Sequence, residues 1–196
     1  GLTQGFVSVI IDLDQHAQLD DWITLEATDP LFAKEIDSVI EKWEFEPPRI
    51  NGKTYASVHR ININFEASGG VLSLSFLNMD HYLNSIFNNA SRDQFKIRVV
   101  EMHELDSIPK PVSIEKPLFP SEFLDGAYMR HAVFDFYIDE VGQVRIPSLR
   151  AAGDKVDERL LVIAQDALLN WKFEPPTVNG KPVTVHAAQP FNFREK

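Results

Sequence analysis

The 196-residue chain contains no cysteine. This excludes disulfides, thiol nucleophiles and cysteine-ligated metal, though it identifies no compartment. No apolar run approaches the roughly 20 residues that span a bilayer. No secretory signal is visible at the start. The opening "GLTQGFVSVII" is abrupt, as in a segment cut from a longer protein, so an export signal or anchor is left open. Basic surplus is also lacking. The formal net charge is −10, and residues 1–66 hold 12 acids against 5 bases. Nucleic acid and anionic membrane are therefore not expected partners, because both need cations to neutralise phosphate. There is no G-x-S-x-G elbow and no glycine-rich phosphate loop. His16, His59, His81, His103, His131 and His186 are scattered, with no metal-ligand spacing. Asp12, Asp14, Asp20 and Asp21 lack the glycine and glutamate of a calcium loop, so they read as a solvated turn. No enzymatic activity, metal or cofactor is expected.

What is present is a phrase written twice. Residues 43–53, "WEFEPPRINGK", match residues 171–181, "WKFEPPTVNGK", at eight of eleven positions and an offset of 128. Such self-similarity marks an internal duplication. In the second copy, "AVFDFYID" alternates with the period of a strand, placing Phe134, Phe136 and Ile138 on one face. "EVGQ" reads as a hairpin turn with Gly142 at positive φ, and "VRIPSL" as the returning strand. Asp154 or Asp157 caps a helix whose apolar stripe is Leu160, Ala164, Ala167, Leu168 and Trp171. In the first copy Phe32, Ile36, Val39, Ile40 and Trp43 take the stripe, Asp29 takes the cap and Pro30 the first turn. Val7, Val9 and Ile11 then match Phe134, Phe136 and Ile138, and Asp12 matches Asp139. On this alignment copy two gains one residue between that aspartate and the helix.

The phrase has a physical reading. Its tryptophan is the last apolar residue of each stripe. The double proline stops the helix, because proline lacks the N–H and disfavours helix in the residue before it. Asn-Gly suits a tight turn. A long closing strand follows, ending at Phe65 or Phe193. The expected fold is α+β: two repeated small domains, each an antiparallel sheet (strand, strand, helix, strand) with one helix packed on a face. Residues 1–66 form the first repeat and 121–196 the second. Residues 67–104 form an extension: a strand after Gly69-Gly70, a helix through Met79, Tyr82, Leu83 and Ile86, and a strand in "QFKIRVVEM". The proline-spaced stretch 105–120 reads as an extended, semi-rigid connector.

Taken in order, "VFDFYIDEVGQVRIPSL", the capped amphipathic helix, "WKFEPPTVNGKPVTV" and the closing "QPFNF" resemble the carboxy-terminal domain of TonB-type energy transducers. Pro117, Phe119 and Pro120 are similar to the Pro-x-aromatic-Pro lead-in of that family. The resemblance spans about 105–193, and less completely 5–65, where the turn "LDQHAQ" has no glycine. It implies a periplasmic module of Gram-negative bacteria that grips an extended peptide of an outer-membrane transporter by adding it as a strand. The 196 residues hold neither a membrane helix with a motor-partner motif nor a long proline-rich spacer. Binding, rather than energy transduction, is therefore the expectation.

Strand addition needs an open sheet edge. The closing strand of copy two is the candidate, at Val183, Thr184, Val185, His186, Ala187 and Ala188. In copy one the Gly-Gly hairpin competes for the matching edge. The expected partner is a protein or extended peptide of the cell envelope, with no nucleic acid and no membrane contact. The alternative is a structural or homodimerising tandem module with no peptide ligand.

Overall fold

The computed structural model describes residues 4–66, 69–74, 95–120, 130–153 and 156–193. The protein is α+β, with mostly antiparallel sheets and, among the described residues, two α-helices. It divides into two compact units, residues 1–99 and 100–196.

In unit 1, β1 (Gly5–Leu13) and β2 (Leu19–Ala27) form a hairpin, and β1 also pairs with β5 (Ser57–Glu66). Odd-numbered β1 residues point inward with the expected period of two, so Val7, Val9, Ile11 and Leu13 are buried. Helix α1 (Pro30–Val39) covers that face with Ala33 and Ile36. Asp29 caps it by accepting a hydrogen bond from the Leu31 N–H at 3.0 Å, and proline takes the first turn. Lys96 Nζ lies 2.6 Å from the same carboxylate, and its hydrogen bond holds Asp29 below the usual carboxylate range. Two further strands lie at the sheet edges, giving the order β6-β5-β1-β2-β7. These are β6 (Gly69–Leu74) and β7 (Ile97–Arg98). Both were expected as strands. The helix expected through Met79–Ile86 lies outside the described residues.

In unit 2 the sheet order is β10-β9-β14, with β9 spanning Arg130–Ile138, β10 Val144–Ala152 and β14 Val185–Phe193. Helix α2 (Glu158–Leu169) is capped by Asp157, whose carboxylate accepts from the Arg159 N–H at 2.9 Å. All five residues of its expected stripe are buried. Phe134 meets Phe191 edge-on at 5.8 Å, and Trp171 lies 5.9 Å from Phe191.

The double prolines and Asn-Gly pairs do the same thing twice. β3 (Arg49–Ile50) turns into β4 (Lys53–Thr54) through Asn51 and Gly52 at φ +51° and +79°. β12 (Thr177–Val178) turns into β13 (Lys181–Pro182) through Asn179 and Gly180 at +52° and +73°. Positive φ at both central residues gives the turn whose twist matches a hairpin.

The hairpin turns correct the alignment. The turn bonds of Asp139 are made in unit 1 by Asp14, not Asp12. Each aspartate donates its N–H to a glutamine carbonyl four residues on, Gln18 or Gln143. Each side chain accepts from the N–H groups two and four residues on. Ala17 (φ +62°) stands where Gly142 (φ +83°) stands. Val9 therefore matches Phe134, and Ala27 matches Ala152; the register Val9↔Ile61 is repeated as Phe134↔Gln189. From Ala27 to Asp29 is two residues and from Ala152 to Asp157 is five, so three residues are gained there rather than one. The two alignments differ by two residues, a slip that keeps every side chain on its face; the pairing irregularities do not distinguish the units, since Ser8/Val9 and Asp12/Leu13 recur as Leu149/Ala151 and Arg145/Ser148.

Residues 105–120 are not a free connector. With Val100–Glu104 they are packed onto unit 2. β8 (Pro111–Ser113) pairs with β11 (Lys172–Phe173). Lys110 C=O accepts from Glu174 N–H, and Glu115 C=O accepts from the Trp171 indole at 2.7 Å. Phe119 meets Phe193 edge-on at 4.9 Å. Asp106 accepts three hydrogen bonds from the Asn-Gly turn, from Gly180 N–H, Thr177 Oγ1 and Asn179 N–H. These hold its carboxyl below the usual range.

Candidate peptide-binding edge

β14 is an outer strand of its sheet, bonded along one side to β9. Its odd residues Val185, Ala187, Phe191 and Phe193 are buried in the core, while Ala188, Pro190 and Asn192 are exposed on the other face. The N–H and C=O groups alternate in the same way, so His186, Ala188, Pro190 and Asn192 aim their main-chain groups away from β9.

The six expected residues divide sharply along this strand. Val183 precedes it, and its N–H donates to Pro176 C=O at 2.9 Å. Thr184 C=O accepts from Val100 N–H at 3.0 Å, and His186 N–H donates to Val100 C=O at 3.3 Å. Val100 thus forms a parallel bridge with Val185. The edge expected over Val183–Ala188 is therefore already paired on both sides at Val185, and Val100 takes the outward Thr184 C=O and His186 N–H. The physical reason is the packed 100–120 segment, which the proline spacing had disguised as a linker. Ala187 faces the core and Ala188 faces out. Beyond Ala188 the outward row continues through Pro190 and Asn192, with no further strand beside it among the described residues.

Pro190 breaks this row twice. It has no N–H, and its C=O accepts from Gln189 Nε2 at 2.8 Å. Proline is tolerated on an edge when the missing donor faces outward, and it blunts unwanted pairing there. Ala188 and Asn192 are left as the two residues with both main-chain groups facing out. Beside the edge, His186 Nε2 lies 3.0 Å from Asp135 Oδ1, and Asp135 also accepts from both Nε and Nη2 of Arg150. A polar ladder thus crosses β14, β9 and β10. Tyr137 lies 5.4 Å from the His186 ring.

The matching edge in unit 1 is occupied over Ile61–Glu66, all paired with β6. No group of residues suited to hold a metal ion occurs among the described residues, and no described helix is long and apolar enough to cross a membrane. The class defined by the fold is an α+β protein of mostly antiparallel sheets, and among the described residues the β14 edge is partly open. Comparison with protein-family models and with curated protein sequences finds no match for the chain. Sequence reasoning missed Val100 and the Gln189 cap. A lone valine in "IRVVEM" carries no signal for pairing 85 residues away.

Proposed function

We propose that the two units are copies of one TonB-type carboxy-terminal fold and that unit 2 binds an extended segment of an envelope protein by strand addition. The shared turn bonds, helix caps, Asn-Gly hairpins and closing-strand register support the first part. The second part is shifted from the expected position. The added strand would lie along Ala187–Phe193, continuing from Val100. The observation that carries it is Val100 itself, because one residue of the chain is already added to this edge through two main-chain bonds. The module acts in the periplasm and its partner is an outer-membrane transporter or similar protein, as the resemblance implies.

The test is affinity capture of envelope proteins with the whole chain and with Ala188→Pro. That change removes an outward N–H without touching the pairing to β9. Captured partners should be lost with Ala188→Pro and kept with Asp166→Asn, on the exposed face of α2. Equal capture by both variants sinks strand addition here. A second reading, a structural or self-associating module without peptide ligand, is favoured by the Pro190–Gln189 block. It predicts concentration-dependent dimers and no captured partner.

A further inference from the structure

The repeated phrase has two sides. One side faces the hairpin turn. In unit 2 that side is closed directly, because Phe173 N–H donates to Gly142 C=O at 2.8 Å. A Cβ on Gly142 would sit 2.0 Å from the Phe173 carbonyl oxygen, so only glycine permits this approach. Unit 1 has Ala17 at that position, and a cleft of about 820 Å³ lies between Ala17–Trp22 and Glu41–Phe45. The opposite side differs in kind, because in unit 2 it carries a seated segment, residues 105–115.

That segment is held at four points. Leu105, and Val178 of the Asn-Gly hairpin, both pack onto the unit 2 core. Asp106 accepts from Thr177 Oγ1 and from the N–H groups of Asn179 and Gly180, at 2.8–2.9 Å. Lys110 C=O accepts from Glu174 N–H at 2.8 Å, and Pro111–Ser113 pairs with Lys172–Phe173. Glu115 C=O accepts from the Trp171 indole.

Unit 1 presents the same receiving face. The rings of Trp43 and Phe45 stand 6.4 Å apart at 59°, and those of Trp171 and Phe173 6.3 Å apart at 55°. The Asn-Gly turns share their pair of positive φ angles. Among the described residues, the Trp43 indole N–H and the N–H groups of Glu46, Asn51 and Gly52 have no partner. Exposure tells the same story. Ile50, at the place of Val178, is 60% exposed and takes no part in the unit 1 core. Trp43 is half-buried where Trp171 is buried. Arg49 is exposed at the place of Thr177, so a cation stands where unit 2 has a hydroxyl.

We infer that this face of unit 1 docks an extended segment of a partner protein, one carrying an aspartate preceded by an apolar residue. Its carboxylate accepts from Asn51 and Gly52 N–H and meets the Arg49 guanidinium, a charge-assisted pair that Thr177 cannot make. The apolar residue before it covers Ile50. Its main chain then runs past Glu46 and Glu44, with a carbonyl accepting from Glu46 N–H and a later one from the Trp43 indole. The site shares no residue with the β14 edge and stands whether or not that edge binds.

The experiment titrates the whole chain with the synthetic peptide LDSIPKPVSIE, the sequence of residues 105–115, and follows amide and indole chemical shifts. At peptide concentrations up to about 1 mM the Trp43 indole and the amides of Glu44, Glu46, Asn51 and Gly52 should shift. A peptide with its aspartate changed to asparagine should bind at least about tenfold more weakly, because a hydrogen-bonded charge is lost. Arg49→Glu should weaken the intact peptide by a similar factor, and its exposed position leaves folding intact. Asp20→Asn, on the cleft side of the phrase, should leave binding unchanged. The inference is overturned if the Trp43 and Asn51–Gly52 signals do not move, or if neither the asparagine peptide nor Arg49→Glu weakens binding. It is overturned equally if Asp20→Asn weakens binding as much as Arg49→Glu. Shifts confined to residues 171–180, where added peptide would exchange with the chain's own segment, also overturn it.

Discussion

The same eleven-residue phrase ends in two different surroundings. In unit 2 it is sealed between the hairpin turn and residues 110–115. In unit 1 it borders an open cleft. The phrase is nearly identical, so the difference comes from what stands opposite it: Gly142 against Ala17, and the strand Pro111–Ser113 against none among the described residues. A motif thus sets its own local geometry, the turn and the chain break, while its neighbours decide whether its polar groups are paired within the unit.

The sharpest way to break this comparison is through the two tryptophans. Trp171 is buried and hydrogen-bonded, whereas Trp43 is half-buried at the cleft. Trp171→Ala should cost about 3–5 kcal/mol in denaturant unfolding, and Trp43→Ala about half as much or less. Equal losses would mean that the two phrases are equivalent in packing after all. Next in size is Gly142→Ala. It places a methyl group against a backbone carbonyl at a left-handed φ and should cost about 2–4 kcal/mol. Ala17→Gly in unit 1 should change stability by under about 1 kcal/mol.

A smaller effect involves pH. Asp12 has its pKa pushed up to about 6, first by burial, then by Asp20 and Asp21. It faces Asp21 directly across the hairpin. Its folded value lies above its unfolded one, so the protonated form favours folding. Stability rises as pH falls from 7 through about 6, and is lost again as pH rises through that value. Asp12→Asn should raise stability at pH 7 by on the order of 1 kcal/mol, after discounting for partial exposure, and should flatten the profile between pH 7 and 5. Unit 2 has Tyr137 at the matching position and should show no such step. The smallest effect expected is that of Pro190→Ala. It should shift stability by under about 0.5 kcal/mol yet restore an outward donor, seen as tighter strand binding or increased self-association.

Much of the fold was legible because it rests on local rules. Alternation gave Val7, Val9, Ile11, Phe134, Phe136 and Ile138 as inward residues, and the i, i+4, i+7 stripe gave the buried face of α2. Asp29, Asp157 and the Asn-Gly pairs declared themselves by cap and turn chemistry. What was not legible depended on long-range pairing. The equivalence moved from Asp12 to Asp14 because the two alignments differ by two residues, a slip that preserves alternation and so leaves no periodic trace. The packing of 100–120 depended on bonds to residues more than 55 positions away. The one available signal was the missing glycine in "DQHAQ", which marks where the two units part.

The Val100 contact has a consequence for any competitor. Residues 100–115 are to unit 2 a ligand on a leash, fixed at Asp106, Lys110 and Glu115. Val100 therefore samples the β14 edge at an effective concentration in the millimolar range. An incoming strand that overlaps Thr184–His186 must outbid that local supply, while one confined to Ala188–Asn192 need not. Partners that need the full length of the edge are discounted accordingly, so the tether sets a floor on affinity before any side chain is read.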